Sequence, residues 1–338
     1  KDKTTNSIHK TSTSMKDANG RHMYCLDPER LAPNGHPYYK DNTLDDVAYR
    51  ILKYGYPNVS FTGDASTDRI ITQMALWGHV DPARLNINNI IAYRNSAQNA
   101  DMLNHIQSLY NKAKSGSDTQ TVSVKFSQTN LEAKSNGDGF VTDYISLIGS
   151  GDIKSANTTL KFFDTATGIQ RTDIKILLEN GQTTSSVALG QKFRLLIPKS
   201  SSKGNVKIQG SSNIVHTVAS SYSTNLAGIQ DAAVLEDISE NKVVTNNVIV
   251  NWNGVGTFTI NKLDANSKAK LEGAEFSVKD STGTVIGQMI TDANGTATSP
   301  ELPFGTYKVQ ETKAPFGYEL DPTVHTVELN STTPVTIN

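Results

Sequence analysis

The most reactive side chain of this 338-residue sequence is its single cysteine, Cys25. One cysteine cannot form an internal disulfide, so a different partner is expected. A candidate is Gln73, which lies at the edge of an apolar stripe formed by Ile70, Met74 and Trp77 when the segment is drawn as a helix. A cysteine thiolate can attack the side-chain carbonyl of a glutamine, expel ammonia and leave a thioester. That thioester is a stored electrophile, because its leaving group is a thiolate of pKa about 8.5.

Other side chains near this pair suit such a site, but an inert pair is also consistent with the sequence. Tyr24 and Trp77 can limit the access of water, which hydrolyses thioesters. His22 and His79 can assist proton transfer, although isolated histidines are more often structural. The alternative is a buried, unreactive cysteine beside an ordinary helical glutamine. A buried carboxamide costs free energy unless it is hydrogen-bonded or chemically consumed, so both alternatives stay open on these residues alone.

The segments around the pair resemble a known family. Tyr24-Cys25-Leu26, followed by Thr72-Gln73-Met74-Ala75-Leu76-Trp77, is similar to the thioester domains of Gram-positive surface adhesins. Those domains pair an aromatic-Cys-aliphatic motif with a Thr-Gln-x-Ala-aliphatic-Trp motif. The resemblance covers residues 20–115 and implies that Cys25 and Gln73 are the cross-linked pair.

The C-terminal sequence resembles a second family. Thr257–Lys279 and Gly305–Tyr318 are similar to the Cna protein B-type domain, a transthyretin-like β-sandwich found in sortase-anchored proteins and pilins. The resemblance implies an isopeptide bond between Lys262 on the first strand and Asn338 on the last, with Glu311 as the catalytic acid. Burial favours a neutral, nucleophilic lysine and a protonated glutamate, which can polarise the asparagine carbonyl as ammonia leaves.

Weaker candidates exist for the same chemistry. Asn330 precedes a turn instead of ending the last strand, so it is less suited than Asn338 to join Lys262. The middle of the chain offers a possible second set, with a lysine on a first strand, two asparagines on a last strand and two acids: Lys125, Asn247, Asn251, Asp143 and Asp164. Any β-sandwich can offer such residues, so this second bond rests on position alone.

Periodicity divides the sequence into four segments. Residues 1–20 are polar and aperiodic and predict a disordered lead-in. Residues 21–116 carry the helical period and form the expected thioester region. We predict helices that begin at Thr43, at Ser66 or Thr67 and at Asp81, and a longer helix over residues 99–114.

From residue 117 the period changes to two, which is typical of strands. Residues 117–252 predict a β-sandwich with strands over 121–126, 192–197 and 242–252, and residues 253–338 predict the Cna B-type β-sandwich. The expected fold class is therefore mainly β with a helical N-terminal part, in which a thioester domain precedes a transthyretin-like domain.

Composition narrows the class of function. The chain is 36% hydrophobic and 19% charged, and its formal net charge of −1 excludes a strongly basic nucleic-acid binder. No run approaches the roughly 18 apolar residues of a membrane span. Seven scattered histidines lack metal-ligand spacing, so we expect neither a metal nor a cofactor. Scarce cysteine with abundant Thr, Ser, Asn and Val favours an exported bacterial β-protein.

The two family resemblances imply a surface adhesin or minor pilin, anchored to the cell wall or pilus of a Gram-positive bacterium. A nucleophile on a host-surface or extracellular-matrix protein, such as a lysine amine, attacks the Gln73 acyl carbon and releases the Cys25 thiolate. The reaction happens once, so the protein is not expected to be an enzyme; sortase is expected to join it to other pilin subunits. One alternative is a purely structural pilin. Another is a cysteine-dependent enzyme with His22 or His79 as base.

Overall fold

The computed structural model of the protein describes residues 15–31, 36–90, 97–198 and 204–338. The chain folds into two compact units. The first unit consists of the described residues up to Val124 together with Gly149–Asn157 and Ser212–Lys242. The second unit consists of Lys125–Ile148, Thr158–Ser211 and Val243–Asn338. The predicted boundary after residue 116 therefore does not separate two units, because later strands return to the helical region. Within the described ranges, no helix has both the length and the apolar composition needed to cross a bilayer.

The helices are α1 (Asp46–Tyr54), α2 (Ala65–Val80) and α3 (Ala97–Ser115), with a short 3-10 helix at Ile87–Asn89. Asp45 caps α1 and Asp64 caps α2, each carboxylate accepting from backbone N–H groups of the first turn. The predicted caps Thr43 and Ser66 or Thr67 are therefore wrong by two or three residues. The long helix predicted over 99–114 is confirmed. A helix beginning at Asp81 is wrong, since Asp81 ends α2 and only the 3-10 turn follows.

Strands occupy much of the remaining described chain. The first three are β1 (Met15–Lys16), β2 (His22–Cys25) and β3 (Tyr39–Thr43). The next thirteen are β4 (Ser123–Phe126), β5 (Asn130–Ser135), β6 (Gly139–Thr142), β7 (Leu147–Ser150), β8 (Ile153–Asp164), β9 (Gln170–Arg171), β10 (Lys175–Leu178), β11 (Thr183–Thr184), β12 (Ser186–Ala188), β13 (Phe193–Pro198), β14 (Gly204–Ser223), β15 (Ala232–Val243) and β16 (Val248–Trp252).

The last nine strands lie in the C-terminal segment. They are β17 (Val255–Gly256), β18 (Phe258–Asn261), β19 (Glu275–Lys279), β20 (Val285–Ile290), β21 (Thr296–Thr298), β22 (Leu302–Pro303), β23 (Gly305–Lys313), β24 (Val324–Leu329) and β25 (Val335–Ile337). The strands predicted over 121–126 and 192–197 are confirmed in shortened or shifted form. The one predicted over 242–252 is two strands, β15 and β16, separated by a turn.

In the first unit, strands β1, β2, β15 and β14 lie side by side in that order. Side chains alternate across a strand, so Tyr24 and Ala233 face the helices, where they join the main core with Tyr49, Ile71 and Leu76. The predicted lead-in falls on residues 1–14, which lie outside the described residues, and on residues 15–20, which form β1 and a turn. Disorder is therefore wrong for residues 15–20, since β1 pairs with β2.

In the second unit, the C-terminal segment has a core of its own. It stacks the sheet β20-β19-β23-β24 against β21-β18-β25. Phe258 and Ile260 on β18 meet Phe276 on β19 and Val309 on β23 in that core. Strands β18 and β25 run parallel, with Ile260 opposite Ile337. This two-sheet arrangement confirms the predicted C-terminal β-sandwich.

Candidate functional site

Helix α2 carries Gln73 into the interior of the first unit. Ile71, Ala75 and Leu76 of the same helix are buried in the main core. One turn beyond Gln73, Trp77 packs with Cys25 and Leu85 in a separate apolar cluster. Because core contacts hold the helix on both sides of Gln73, its side chain is fixed in a site where only 1% of its surface is exposed.

Strand β2 presents the backbone of Cys25 to that helix. Cys25 lies opposite Ala232 of β15, and the next residue, Leu26, donates its N–H to the Asp231 carbonyl at 2.9 Å. In an antiparallel ladder the inter-strand bonds alternate, so the N–H and C=O of Cys25 point away from β15. They would be unsatisfied at a buried edge of the sheet, which is costly.

The carboxamide of Gln73 occupies this edge. Its Oε1 accepts from the Cys25 N–H at 2.9 Å, and its Nε2 donates to the Cys25 carbonyl at 2.8 Å. Cys25 is fully buried. The structure therefore brings the two predicted partners together, with the amide carbon of one held against the backbone of the other. The hydrogen bonds also account for burial of an unreacted glutamine, so burial of Gln73 is not by itself a sign of reaction.

This geometry suits acyl transfer at Gln73. The Cys25 N–H points at the carbonyl oxygen, where it stabilises the negative charge that develops when a nucleophile adds to the carbon. The Cys25 carbonyl holds the nitrogen that leaves as ammonia. The backbone of the attacking cysteine thus supplies both polar contacts to the reacting amide.

Aromatic side chains surround the pair without exposing it. Trp77 and Leu85 are 2% and 0% exposed and pack directly on Cys25. Tyr24 points to the opposite face of β2 and donates its hydroxyl to the Tyr56 carbonyl. Burial raises the pKa of Tyr24 well above its ordinary value, so this hydroxyl stays protonated. A thioester here would be sheltered from bulk water on the helix side.

The two histidines named from the sequence have other partners. His79 Nε2 lies 2.8 Å from both carboxylate oxygens of Asp45, the cap of α1. His22 packs edge-on against the Tyr56 ring, with 5.0 Å between ring centroids. Burial lowers the pKa of His22, which favours its neutral form. Neither histidine is arranged as the base of a Cys-His pair, because His22 shares the face of Tyr24 and His79 is held at a helix end.

A cavity of about 590 Å³ opens on the Cys25 face of β2. Its apolar surface comes from Met15, Met23 and Val234, and Tyr38 and Tyr222 also line it. Met23 precedes Cys25 by two residues, so both side chains emerge on the same face of the strand. Met15 also packs in the Cys25 cluster, which places the cavity next to the candidate thioester.

Three residues of this region were missed from the sequence: Tyr38, Gln230 and Glu236. The Tyr38 hydroxyl donates to the Gln230 carbonyl at 2.8 Å. Burial, followed by the nearby Cys25 and Asp231, raises the pKa of Tyr38 above its ordinary value. Glu236 is bonded to Tyr222, Arg21 and Lys40 behind the cavity. The pairing of β2 with β15 brings them together, and no local sequence pattern encodes that register.

Lys262 and Glu311 meet in the C-terminal β-sandwich. The Lys262 Nζ lies 3.2 Å from each oxygen of the Glu311 carboxylate, and the Asp321 N–H donates to the same carboxylate at 2.8 Å. The side chain of Glu311 is 1% exposed and that of Lys262 is 18% exposed. The structure therefore brings together the predicted nucleophile and the predicted acid.

Asn338 lies at the same end of the sandwich but faces another residue. It follows β25, and its Oδ1 accepts from Asn261 Nδ2 at 2.8 Å. The pleat places Asn338 opposite in direction to Ile337, whereas Lys262 shares the inward face of Ile260. Both Lys262 and Asn338 line one cavity of about 370 Å³, so they are neighbours whose side chains are not aligned.

The candidates for a second isopeptide bond are not gathered into a buried cluster among the described residues. Their side chains lie at or near the surface: Lys125, Asn247 and Asp143 are exposed, Asn251 donates to Glu132 at 3.0 Å, and Asp164 accepts from N–H groups of its own turn. The chemistry needs a desolvated lysine and acid, and these positions lack that burial. A residue not named from the sequence, Asn246, instead binds the N–H and C=O of Phe126.

Both ends of the chain match families of known proteins. Residues 22–115 match the thioester domain, and residues 256–338 match the SpaA prealbumin-like fold domain. The whole fold is similar to the Bacillus anthracis TIE protein, with 26% identity and a TM-score of 0.68 over 99% of this chain and 62% of that one. It is also similar in fold to the thioester domain of the Enterococcus faecium TIE86 protein, at 22% identity and a TM-score of 0.58 over 70% of this chain and 84% of that one.

A third similarity comes from the trypsin-resistant surface T6 protein of Streptococcus pyogenes serotype M6. The two are 39% identical over 69 residues, which is 20% of this chain and 13% of the T6 protein. The chain therefore spans less than two thirds of the length of this protein and of the B. anthracis relative. Cys25 and Gln73 fall inside the first matched region, and Lys262, Glu311 and Asn338 fall inside the second. The chain therefore combines a thioester domain with a SpaA prealbumin-like fold domain.

Proposed function

We propose that this protein is a surface adhesin that attaches covalently to its target through a thioester between Cys25 and Gln73. The observation that carries the proposal is the double hydrogen bond between the Gln73 carboxamide and the Cys25 backbone, at 2.9 and 2.8 Å, in a fully buried setting. It aligns an amide carbonyl with an N–H donor beside a cysteine. The match of residues 22–115 to the thioester domain supports the same chemistry.

The reaction has two steps. Cys25 sulfur first adds to the Gln73 carbonyl carbon, the carbon–nitrogen bond breaks, and ammonia leaves with the thiol proton. A nucleophile on the target, best supplied by a lysine amine, then forms a new bond to the same carbon and displaces the Cys25 thiolate. The product is an amide, which does not regenerate the thioester, so each molecule reacts once and the protein does not act as an enzyme.

The C-terminal domain is proposed to be the stalk that presents this site. Lys262 and Glu311 supply an amine and an acid in a buried position. We propose Asn338 as the acyl partner, whose side chain must leave Asn261 to face Lys262. In this proposal the protein is displayed on the wall or pilus of a Gram-positive bacterium, sortase links it to other pilin subunits, and its target is a host-surface or extracellular-matrix protein.

Intact-protein mass tests the thioester. The native protein should lack the mass of one ammonia that Cys25→Ala regains, and methylamine should add to Gln73 and free one titratable thiol. A Cys25→Ala mass that differs from the native mass only by the substitution itself, with no methylamine adduct, would contradict the proposal. It would favour the second candidate, a structural pilin, for which the hydrogen bonds that satisfy unreacted Gln73 are the specific support.

A further inference from the structure

We propose that Gln230 binds the attacking amine and makes the thioester selective for primary amines. The inference rests on the proposed function, since it needs a thioester to attack. It concerns a residue outside both matched families' ranges, in the loop that leads into β15. Four features carry it: its place beside Cys25, an unsatisfied oxygen, an adjoining cavity and the hydrogen-bonding capacity of an amine.

The register of the sheet places Gln230 beside the reactive pair. Ala232 lies directly opposite Cys25, and Val234 lies opposite Met23. Gln230 is two residues before Ala232, in the loop that leads into β15. The Tyr38 hydroxyl bonds the Gln230 carbonyl at 2.8 Å, and Tyr38 also lines the cavity on that face. Gln230 is therefore a direct neighbour of Tyr38, which lines the cavity and lies near Cys25.

The side-chain oxygen of Gln230 is a buried acceptor without a donor. Only 4% of Gln230 is exposed, and within the part of the chain that the structure describes its Oε1 accepts no hydrogen bond. Its backbone is satisfied, because the N–H donates to the Leu31 carbonyl at 3.1 Å and the carbonyl accepts from Tyr38. Native proteins rarely leave a buried amide oxygen unpaired, so Gln230 Oε1 is available to accept an N–H from a ligand.

The cavity gives that ligand a route. Its volume of about 590 Å³ falls within the roughly 300–1,000 Å³ typical of ligand pockets. Met15, Met23 and Val234 offer an apolar surface for the methylenes of a lysine side chain, while Tyr38 and Tyr222 offer aromatic faces. The opposite side of Cys25 is closed by Trp77 and Leu85. In this proposal, a lysine that enters along the Met23 face extends its amine beyond the cavity to Gln230 and the acyl carbon.

Two acceptors near the acyl carbon match a primary amine. Before the thioester forms, the Cys25 carbonyl accepts from Gln73 Nε2 at 2.8 Å, and the loss of ammonia vacates this acceptor. A neutral primary amine can donate one N–H there and the other to Gln230 Oε1, which leaves its lone pair for the carbon. The carbon–nitrogen bond forms, the carbon–sulfur bond breaks, and the amine proton ends on the Cys25 sulfur. A secondary amine has one N–H and leaves one acceptor unpaired.

The test compares two small amines on the full chain. Methylamine and dimethylamine are reacted separately, and the rate of adduct formation is followed by intact mass. In Gln230→Met, which keeps the side-chain length but removes the acceptor, the ratio of the methylamine to the dimethylamine rate should fall about three- to tenfold. Gln170→Met, at an exposed position on β9, is the matched control and should keep the native ratio. A general structural role would slow both amines equally.

The outcomes separate the two proposals. If the native protein shows no ammonia loss, the proposed function fails before Gln230 is tested. If Gln230→Met forms the thioester and keeps the native ratio, the role of Gln230 is overturned while the thioester stands. Gln230→Asn shortens the side chain by one methylene and so moves its oxygen away from the amine. This second variant is used if Gln230→Met does not fold. It should also lower the ratio, and a native ratio in that variant would equally overturn the inference.

Discussion

At the scale of single residues, the side chain of Gln73 takes the place of a neighbouring strand beside β2. Its carboxamide pairs with the N–H and C=O of Cys25 as a strand would, on the side of β2 that faces away from β15. A glutamine has a donor and an acceptor on one edge, which few side chains offer. The same residue therefore serves the fold before reaction and the chemistry during it.

The contribution of these two hydrogen bonds to the free energy of unfolding can be measured without the thioester. In a Cys25→Ala background, Gln73→Glu should lower the free energy of unfolding by about 1–3 kcal/mol at neutral pH, because a carboxylate oxygen then faces the residue-25 carbonyl without a proton between them. Urea denaturation of the single and double variants provides the measurement. Equal stability of the two proteins would show that the two hydrogen bonds do not hold the helix to the strand.

Glu236 is a buried carboxylate near the site whose pKa is strongly lowered. Burial alone would raise its pKa, but hydrogen bonds from Lys40, Tyr222 and Arg21 outweigh burial and lower the pKa from 4.5 to about 2. A carboxylate with a lowered pKa stabilises the fold above pH 4.5, and this contribution is lost as the pH falls from there towards 2.

We therefore expect Glu236→Gln to flatten the acid limb of the stability profile. The native protein should lose stability between pH 4.5 and 2, whereas the variant should lose less over the same range. At pH 7 the variant should be less stable than the native protein by about 2 kcal/mol, a figure that allows for the partly exposed Arg21 and Lys40. Thermal unfolding at several pH values checks this. Glu132→Gln, at an exposed position of β5, is the control. Identical profiles for native and Glu236→Gln protein would contradict the assignment.

At the scale of elements, helix α2 is fixed at both ends. Asp64 caps its first turn, and His79 in its last turn binds Asp45, the cap of α1. Asp45 is thus shared, since it also accepts from Val47 and Ala48 of α1. The position of the helix that carries Gln73 is therefore tied to the start of its neighbour.

Two substitutions at Asp45 separate these roles. Asp45→Asn keeps an N-cap acceptor but removes the charge opposite His79, whereas Asp45→Ala removes both. We expect Asp45→Ala to lower the free energy of unfolding by about 1 kcal/mol and Asp45→Asn to lower it by less, since asparagine caps as well as aspartate. Chemical denaturation gives both values. If Asp45→Asn were as destabilising as Asp45→Ala, the ion pair and not the cap would be the larger contribution.

The sequence predicted local features of this arrangement better than distant ones. The helical period located α3, and the two short motifs identified Cys25 and Gln73 as a pair. The helix caps were missed because Thr43, Ser66 and Thr67 are also good cap residues, and only the folded chain decides among neighbours. Gln230 and Tyr38 were missed because their place depends on the pairing of β15 with β2, some two hundred residues apart in the chain. Asn338 was located by its position in the motif, which does not reveal the direction of its side chain.

At the scale of the whole molecule, the two proposed bonds have different roles: one attaches the target and the other stabilises the C-terminal domain. The thioester would hold the target, and the bond from Lys262 to Asn338 would close a loop of 76 residues around the C-terminal core. Treated like a disulfide, such a loop contributes on the order of 4 kcal/mol through the entropy of the unfolded chain. Tension applied to β18 and β25 would then load a covalent bond.

The C-terminal bond predicts a second ammonia loss that is independent of Cys25. Lys262→Ala should restore that mass and lower the midpoint of thermal unfolding of this domain, and Glu311→Gln should slow or prevent the bond. Lys308→Ala, an exposed lysine on β23, should change neither quantity. If Lys262→Ala removes an ammonia loss but Asn338→Ala does not, the lysine has reacted with another residue, and tandem mass spectrometry of the joined peptides would identify it.

The pairing of Gln73 with Cys25 also affects the stability of the protein before the thioester forms and after it reacts. With the amide intact, the Cys25 carbonyl has a donor at 2.8 Å; conversion to the thioester removes that donor with the departing ammonia. The thioester form lacks this hydrogen bond, and capture of an amine supplies a new N–H. The thioester also closes a loop of 48 residues between Cys25 and Gln73, which by the chain-entropy argument contributes about 4 kcal/mol, against about 1–3 kcal/mol for one lost hydrogen bond. Capture opens that loop, so a fall in melting temperature on adding methylamine would report engagement without any label.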